Sequence, residues 1–250
     1  MIIGGLQKFS LLDYPNHISA IIFTQGCNFR CHFCYNPMLV WPEFKAGKFK
    51  NINSSDNTDE KVKKVYPQFQ EDGLFDFLRK RQKKLDAVVI TGGEPTIHKD
   101  LPDFIKKIKK LGFKVKLDTN GTNPKMLKSL IDKKLIDYIA MDIKGSLEKY
   151  VIITGVKSDL NNIKKSIKII MDCGLPYEFR TTAAPELIEK EDIKKIGELI
   201  AGAKKWYLQN FKSDIDLVND RFEKRKPYFL KEMEEMREIG EGYVDFCDIR

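Results

Sequence analysis

Short apolar runs alternate with amphipathic stretches along most of the chain. The runs at 19–25, 86–92, 113–119, 137–143, 176–183 and 204–211 have the length of strands. Most are continuously apolar, as expected for strands buried on both faces. Between them lie helical stretches at 74–84, 101–112, 123–134, 159–174 and 189–202. In "LPDFIKKIKKLG" the residues Phe104, Ile105, Ile108 and Leu111 recur at helical spacing. Gly112 and Gly174 stand where helices end, and Pro124 stands in a first turn. The tail, from Lys226, offers one more helix and a last strand.

Strands that alternate with helices imply parallel pairing through right-handed crossovers. No G-x-G-x-x-G follows any strand, which argues against a dinucleotide-binding doubly wound sheet. The expected fold is therefore α/β: a partial, open barrel of the TIM type with about six β/α units. One domain is expected over residues 1–250, with a carboxyl-terminal extension at 212–250. One segment breaks the rhythm. Residues 43–69 are rich in Asn, Ser, Asp and Lys and are long for a connection, so they read as a polar insertion after the first strand.

Composition narrows the setting. No run of eighteen apolar residues is present, so no membrane span is expected. The opening residues lack a basic segment followed by an apolar one, and a cytoplasmic location is the expectation. The net charge is +8, much of it lysine on helix faces such as "DFIKKIKK". No basic tract interleaved with aromatics points to nucleic acid. Asn53 and Asn120 stand in glycosylation-like triplets that carry no meaning without export. The five cysteines are an odd number, and three of them cluster, unlike a secreted disulfide framework.

Those three give the chain its most specific signal. Cys27, Cys31 and Cys34 follow directly on the first expected strand, where parallel β/α folds place their ligands. A structural zinc site takes four ligands, and His32 is the one local candidate for a fourth, awkwardly adjacent to Cys31. An ordinary four-iron cluster also takes four cysteines. Three thiolates on a four-iron cube leave one iron open. Cys173 and Cys247 are scattered and cannot build a second cluster; Cys173 reads as a packing residue, and Cys247 as the same or as a loose thiol. His17 and His98 lack ligand spacing and read as structural or surface residues.

The Cys-x3-Cys-x-Phe-Cys spacing, with Phe33 as the aromatic, resembles the radical S-adenosylmethionine enzymes. "TGGEP" at 91–95 resembles that family's Gly-Gly-Glu strand end. "LDTNG" at 117–121 and "MDIKG" at 141–145 are similar to the glycyl-radical-enzyme activases within it. The opening "GLQKFSLLDYPNHISAIIFTQGCNFRCHFCYNP" resembles the branch that activates anaerobic ribonucleoside-triphosphate reductase. The likeness covers roughly residues 4–185 and departs at Tyr35, where members commonly have His, and in the length of the 43–69 insertion.

The resemblance implies a chemistry and a set of roles. Cys27, Cys31 and Cys34 would hold one [4Fe-4S] cluster whose open iron chelates S-adenosylmethionine. Glu94 would accept from the methionine ammonium, with Gly92 and Gly93 allowing close backbone approach. Phe33 and Tyr35 would lie by the adenine and Asn120 by the ribose. Lys144 and Arg180 would meet the methionine carboxylate, and a small cation would stand near Asp118 and Asp142. The partner would be a glycyl radical enzyme, first anaerobic ribonucleoside-triphosphate reductase, then pyruvate formate-lyase. A flavodoxin or ferredoxin would supply the electron, and the 43–69 segment would belong to the docking surface. A small-molecule radical enzyme and a non-catalytic metal-binding module are the competing functions.

Overall fold

The computed structural model describes residues 1–40 and 69–250. Its strands form one eight-stranded sheet in sequential order, β1 through β8. They are β1 (Ile3–Ser10), β2 (Ser19–Thr24), β3 (Ala87–Gly92), β4 (Lys114–Thr119), β5 (Tyr138–Asp142), β6 (Tyr177–Ala183), β7 (Trp206–Asn210) and β8 (Cys247–Ile249). β2 to β8 pair in parallel, and β1 adds to β2 antiparallel. The sheet stays open, with β1 and β8 at its edges among the described residues.

The six expected strands are present, flanked by two more. β8 realises the possible last strand. β1 escapes the apolar pattern because Gly4, Gly5, Gln7 and Lys8 interrupt it. The expected 43–69 insertion lies outside the described residues except for Phe69, which pairs with Ile3.

The helices are α1 (Pro37–Val40), α2 (Glu71–Arg81), α3 (Leu101–Lys110), α4 (Pro124–Asp132), α5 (Tyr150–Thr154), α6 (Leu160–Asp172), α7 (Lys190–Leu199) and α8 (Leu230–Glu241). Local chemistry sets their ends. The Asn123 side chain accepts from Met126 N, and Pro124 occupies the first turn of α4, where its missing N–H is no loss. α3 and α6 end just before Gly112 and Gly174, whose φ values of 89° and 74° suit glycine. α1 and α5 are too short to show a helical period and were not expected.

Side chains alternate across the sheet, so each strand presents two faces. One face packs under the helices. Val88, Ile90, Val115, Leu117, Ile139, Met141, Phe179, Trp206 and Leu208 are fully buried there, in one core with the helix residues. The inner face differs from the expectation of apolar burial on both sides. Its β2–β3 half is apolar, where Ile21, Ala87 and Val89 pack with Tyr14 and Tyr138. Its β4–β6 half carries Lys116, Asp118, Asp142, Glu178 and Arg180. Alternate residues of β4, a neighbouring pair of inner positions on β6 and the end of β5 are ionic, and these charges pair with one another.

Candidate functional site

The three clustered cysteines lie on the loop that leaves β2. That loop is fixed by its backbone on three sides. Gly26 N and Cys27 N donate to Leu39 O and Val40 O at the end of α1, at 2.7 and 2.8 Å. Arg30 N and His32 N donate to Thr154 O and Ile153 O at the end of α5. Val218 N and Asn219 N, from the carboxyl-terminal extension, donate to Cys34 O and His32 O. A loop held this way keeps its thiols in place before any ligand arrives.

Burial pushes the Cys27 thiol up to about 11 and the Cys31 thiol up to about 12, and raises Cys34 as well. The thiols sit close enough to repel one another as anions, and the Lys144 ammonium opposes that rise. One buried and two partly buried thiols facing one cation are a donor set that gains from exchanging protons for iron. His32 does not join them. Its Nδ1 lies 2.9 Å from Asn219 Nδ2, and its ring stacks on Phe222 at 5.8 Å. No group of His, Cys, Asp or Glu among the described residues is gathered to hold a single ion. An iron–sulfur cube holds each thiolate at a separate corner, so its ligands stand farther apart than donors around one metal. The three cysteines supply three ligands, and a cube held by them would leave one corner to another ligand.

The "GGE" stretch ends β3 beside this loop. A Cβ on Gly93 would collide with the Gly26 carbonyl oxygen, and one on Gly92 with the Thr24 backbone. Gly93 N donates to Thr24 O and Glu94 N to Gly26 O, both at 2.8 Å. The glycines thus let β3 close onto the cysteine loop; in the structure this is the close approach they permit. Glu94 is buried at 1% exposure. Its Oε1 accepts from Thr96 N at 3.0 Å, from Thr96 Oγ1 and from Thr119 Oγ1 at 2.7 Å, and its Oε2 accepts from Asn120 N at 2.6 Å. Burial raises its pKa and these donors oppose the rise.

Asn120, at the end of β4, belongs to a closed polar network. Its Nδ2 donates to Asn28 Oδ1 at 2.8 Å, and Thr122 donates to its Oδ1 through both N and Oγ1. Asn28 Nδ2 donates in turn to Thr122 Oγ1 at 2.8 Å. The network ties the cysteine loop to the start of α4.

The inner-face charges form one alternating chain. Arg250 donates to Glu178 at 3.1 Å while lying over the Tyr207 ring. Glu178 is 3.7 Å from Lys116 Nζ and also accepts from Tyr138 Oη. Lys116 Nζ is 2.9 Å from Asp118 Oδ1, an ion-pair contact off the hydrogen-bonding direction. Arg180 bridges Asp118 at 3.0 Å and Asp142 at 2.8 Å, and Lys144 meets Asp142 at 3.2 Å. Side-chain exposure rises from 2% at Lys116 to 17% at Lys144 and 25% at Asp142. The middle of the chain is sealed, and it opens both at Arg250, 36% exposed, and toward the cysteines. Burial opposes ionisation of Asp118 and Asp142. Arg180, with Lys116 for one and Lys144 for the other, still holds both carboxyls below the usual range. Burial is the largest influence on Lys144 and opposes its charge, but Asp142, Cys31, Cys34 and Tyr150 together outweigh it and raise the ammonium.

The structure therefore brings Cys27, Cys31, Cys34, Glu94, Asn120, Asp142, Lys144 and Arg180 to one end of the sheet. Phe33 is buried with its ring 5.9 Å from Lys144 Nζ, and Tyr35 is half exposed. Lys116, Glu178, Arg250, Asn28 and Thr122 were not singled out in the sequence. The alternation in "KVKLDT", charged at every second position, was the available signal for the first of them. Cys247 is buried, and Cys173 is partly buried with Sγ donating to Ile170 O at 3.1 Å.

The family described as the Radical SAM superfamily matches residues 21–200. A protein of Methanocaldococcus jannaschii, named as a candidate glycyl-radical enzyme activating enzyme, is 34% identical over 254 residues, covering 100% of this chain and 95% of that one. The pyruvate formate-lyase-activating enzyme of Streptococcus mutans is 27% identical over 207 residues, covering 80% and 72%. Among solved structures, Streptococcus suis SuiB bound to S-adenosylmethionine superposes with a TM-score of 0.61 at 17% identity, covering 91% of this chain and 49% of that one. The present chain thus spans about half of SuiB, and the likeness is one of fold. The family match over most of the chain and the relative matched from end to end lead to one conclusion: this chain belongs to the Radical SAM superfamily.

Proposed function

We propose that this chain is an activase that reductively cleaves S-adenosylmethionine and installs a glycyl radical on a partner enzyme. The observation that carries the reading is the ionic chain of the inner face, which ends at Lys144 beside the three clustered thiols. Counted from Arg250 to Lys144, four cations alternate with three carboxylates, and Lys144, the cation at the cysteine end, meets a single carboxylate, Asp142. A methionine carboxylate would give Lys144 a second anionic partner.

Cys27, Cys31 and Cys34 would hold a [4Fe-4S] cluster. When bound, cluster and cofactor together supply reductive cleavage of S-adenosylmethionine and a carbon radical that removes a hydrogen atom. The chain's own residues position and shield. Lys144 meets the methionine carboxylate, and Arg180, clamped by two carboxylates, presents a fixed guanidinium next to it. Glu94 Oε2 has one protein donor, which leaves room for the methionine ammonium. Gly92 and Gly93 hold that carboxylate against the loop. Phe33 and Tyr35 border the adenine. Asn120 donates one amide N–H to Asn28 and accepts twice from Thr122, which leaves its second N–H for the ribose. A small cation near Asp118 and Asp142 would have to share them with Arg180.

The two activating-enzyme relatives support a protein substrate. Within that class the reading names anaerobic ribonucleoside-triphosphate reductase first and pyruvate formate-lyase second, with a flavodoxin or ferredoxin as donor, in the cytoplasm. Among the described residues no helix is long and apolar enough to cross a membrane. The test is anaerobic incubation of cluster-loaded protein with dithionite, S-adenosylmethionine and each candidate enzyme. A glycyl doublet in electron paramagnetic resonance is expected with one of them. Cofactor cleavage without a doublet on any candidate would overturn the protein-substrate reading.

A further inference from the structure

A groove of about 1120 Å³ runs between α4 and α6 on the helix-covered side of the sheet. Its rim is basic by helical spacing. Lys125 and Lys128 stand one turn apart on α4, and Lys165 and Lys168 stand one turn apart on α6, with Lys133 just past the end of α4. All five are exposed. Against them the groove sets Asp132 and Asp172, and Asp132 is occupied by Lys128 at 2.9 Å. Lys125, Lys133, Lys165 and Lys168 form no ion pair among the described residues. Ile131 and Ile169, half-buried, give the groove an apolar floor. An apolar floor with a cationic rim suits an acidic protein surface.

The groove also touches the cysteine loop. Thr122 lines its upper end and accepts from Asn28, the residue after Cys27, at 2.8 Å. Its position decides which partner it serves. Hydrogen-atom abstraction needs the substrate in contact with the inner face, and the sheet separates the groove from that face. An electron can cross a layer of protein, whereas a hydrogen atom being abstracted must be in contact.

We propose that the α4–α6 groove is the docking site of an acidic one-electron carrier protein, which delivers its electron past Thr122 and Asn28 to the cysteine loop. The inference rests on the activase reading above. The balance is simple: the carrier is oxidised by one electron, the bound cluster is reduced by the same electron, and no bond forms or breaks at the groove.

The test pairs Lys125→Glu/Lys168→Glu with a control reversal of two exposed lysines elsewhere, Lys80→Glu/Lys231→Glu. Anaerobic, cluster-loaded proteins are assayed for S-adenosylmethionine cleavage, driven either by reduced flavodoxin or by dithionite. Flavodoxin binding is measured separately by calorimetry. The groove reversal should raise both the KM and the Kd for flavodoxin at least about tenfold at low salt. It should leave the dithionite-driven rate unchanged, and the difference should shrink as salt screens it. The control pair should behave as the native chain. Equal flavodoxin affinity in the groove variant, or an equal loss in the control, would overturn the docking site. Absence of dithionite-driven cleavage in the native chain would instead overturn the activase reading, while calorimetry would still judge the groove.

Discussion

The two faces of β4 differ at every residue. Val115 and Leu117 point under the helices and are fully buried among aliphatic side chains. Lys116 and Asp118, their immediate neighbours, point inward and are almost as buried, yet they are paired as ions. The outer residues stabilise the fold by leaving water, about 1.5–3 kcal/mol for each large side chain. The inner residues gain little net stability, because removing charges from water offsets most of their attraction. What the ions provide is a fixed arrangement of charge that ends beside three thiols. In this sheet the face that stabilises and the face that positions are separate, divided by the alternation of a strand.

The comparison can be broken from either side. On the outer face, Phe179→Ala should destabilise the protein by about 3–5 kcal/mol in urea unfolding, as a large side chain lost from a close-packed core. The inner face should respond differently to single and paired changes. Glu178→Leu alone leaves Lys116 buried with fewer anions and should destabilise by a similar amount, about 3–5 kcal/mol. Adding Lys116→Met should recover part of that loss, because an apolar pair replaces an ionic one. A double variant weaker than Glu178→Leu would mean that the inner ions are ordinary stabilising contacts. Between the faces lies the junction of β3 and the cysteine loop. Gly93→Ala should displace that loop through the Gly26 carbonyl and lower the iron bound per chain after anaerobic reconstitution, with a smaller change in folding stability. Unchanged iron loading would show that the loop tolerates the shift.

Much of the fold was legible in the sequence, but not this division, since the strands read as apolar on both faces. The parallel strands announced themselves as apolar runs, and five helices showed their period and their Gly and Pro boundaries. The cysteine spacing and the strand-end motifs pointed to residues that the fold gathers at one end of the sheet. Three things stayed hidden for physical reasons. β1 carries two glycines and alternates weakly, since an edge strand has one neighbour to satisfy. Glu178 and Arg250 are far apart in sequence, and their pairing depends on the register that sets Ala140 beside Glu178 and on β8 lying along β7. Glu94 and Asn120 were legible as site residues, but their internal partners were not, because those come from other loops.

The central claim is that the inner ionic chain is completed at Lys144 by an anionic group of the cofactor. The most direct measurement is the dissociation constant of S-adenosylmethionine for cluster-loaded Lys144→Met beside the native chain. Asp142 keeps Arg180 as its partner in this variant, so the fold should persist, and urea unfolding checks that it does. Loss of a charged contact to the carboxylate is worth about 1.5–3 kcal/mol, so the constant should rise about tenfold to a hundredfold. An unchanged constant in a folded, iron-loaded variant would contradict the account.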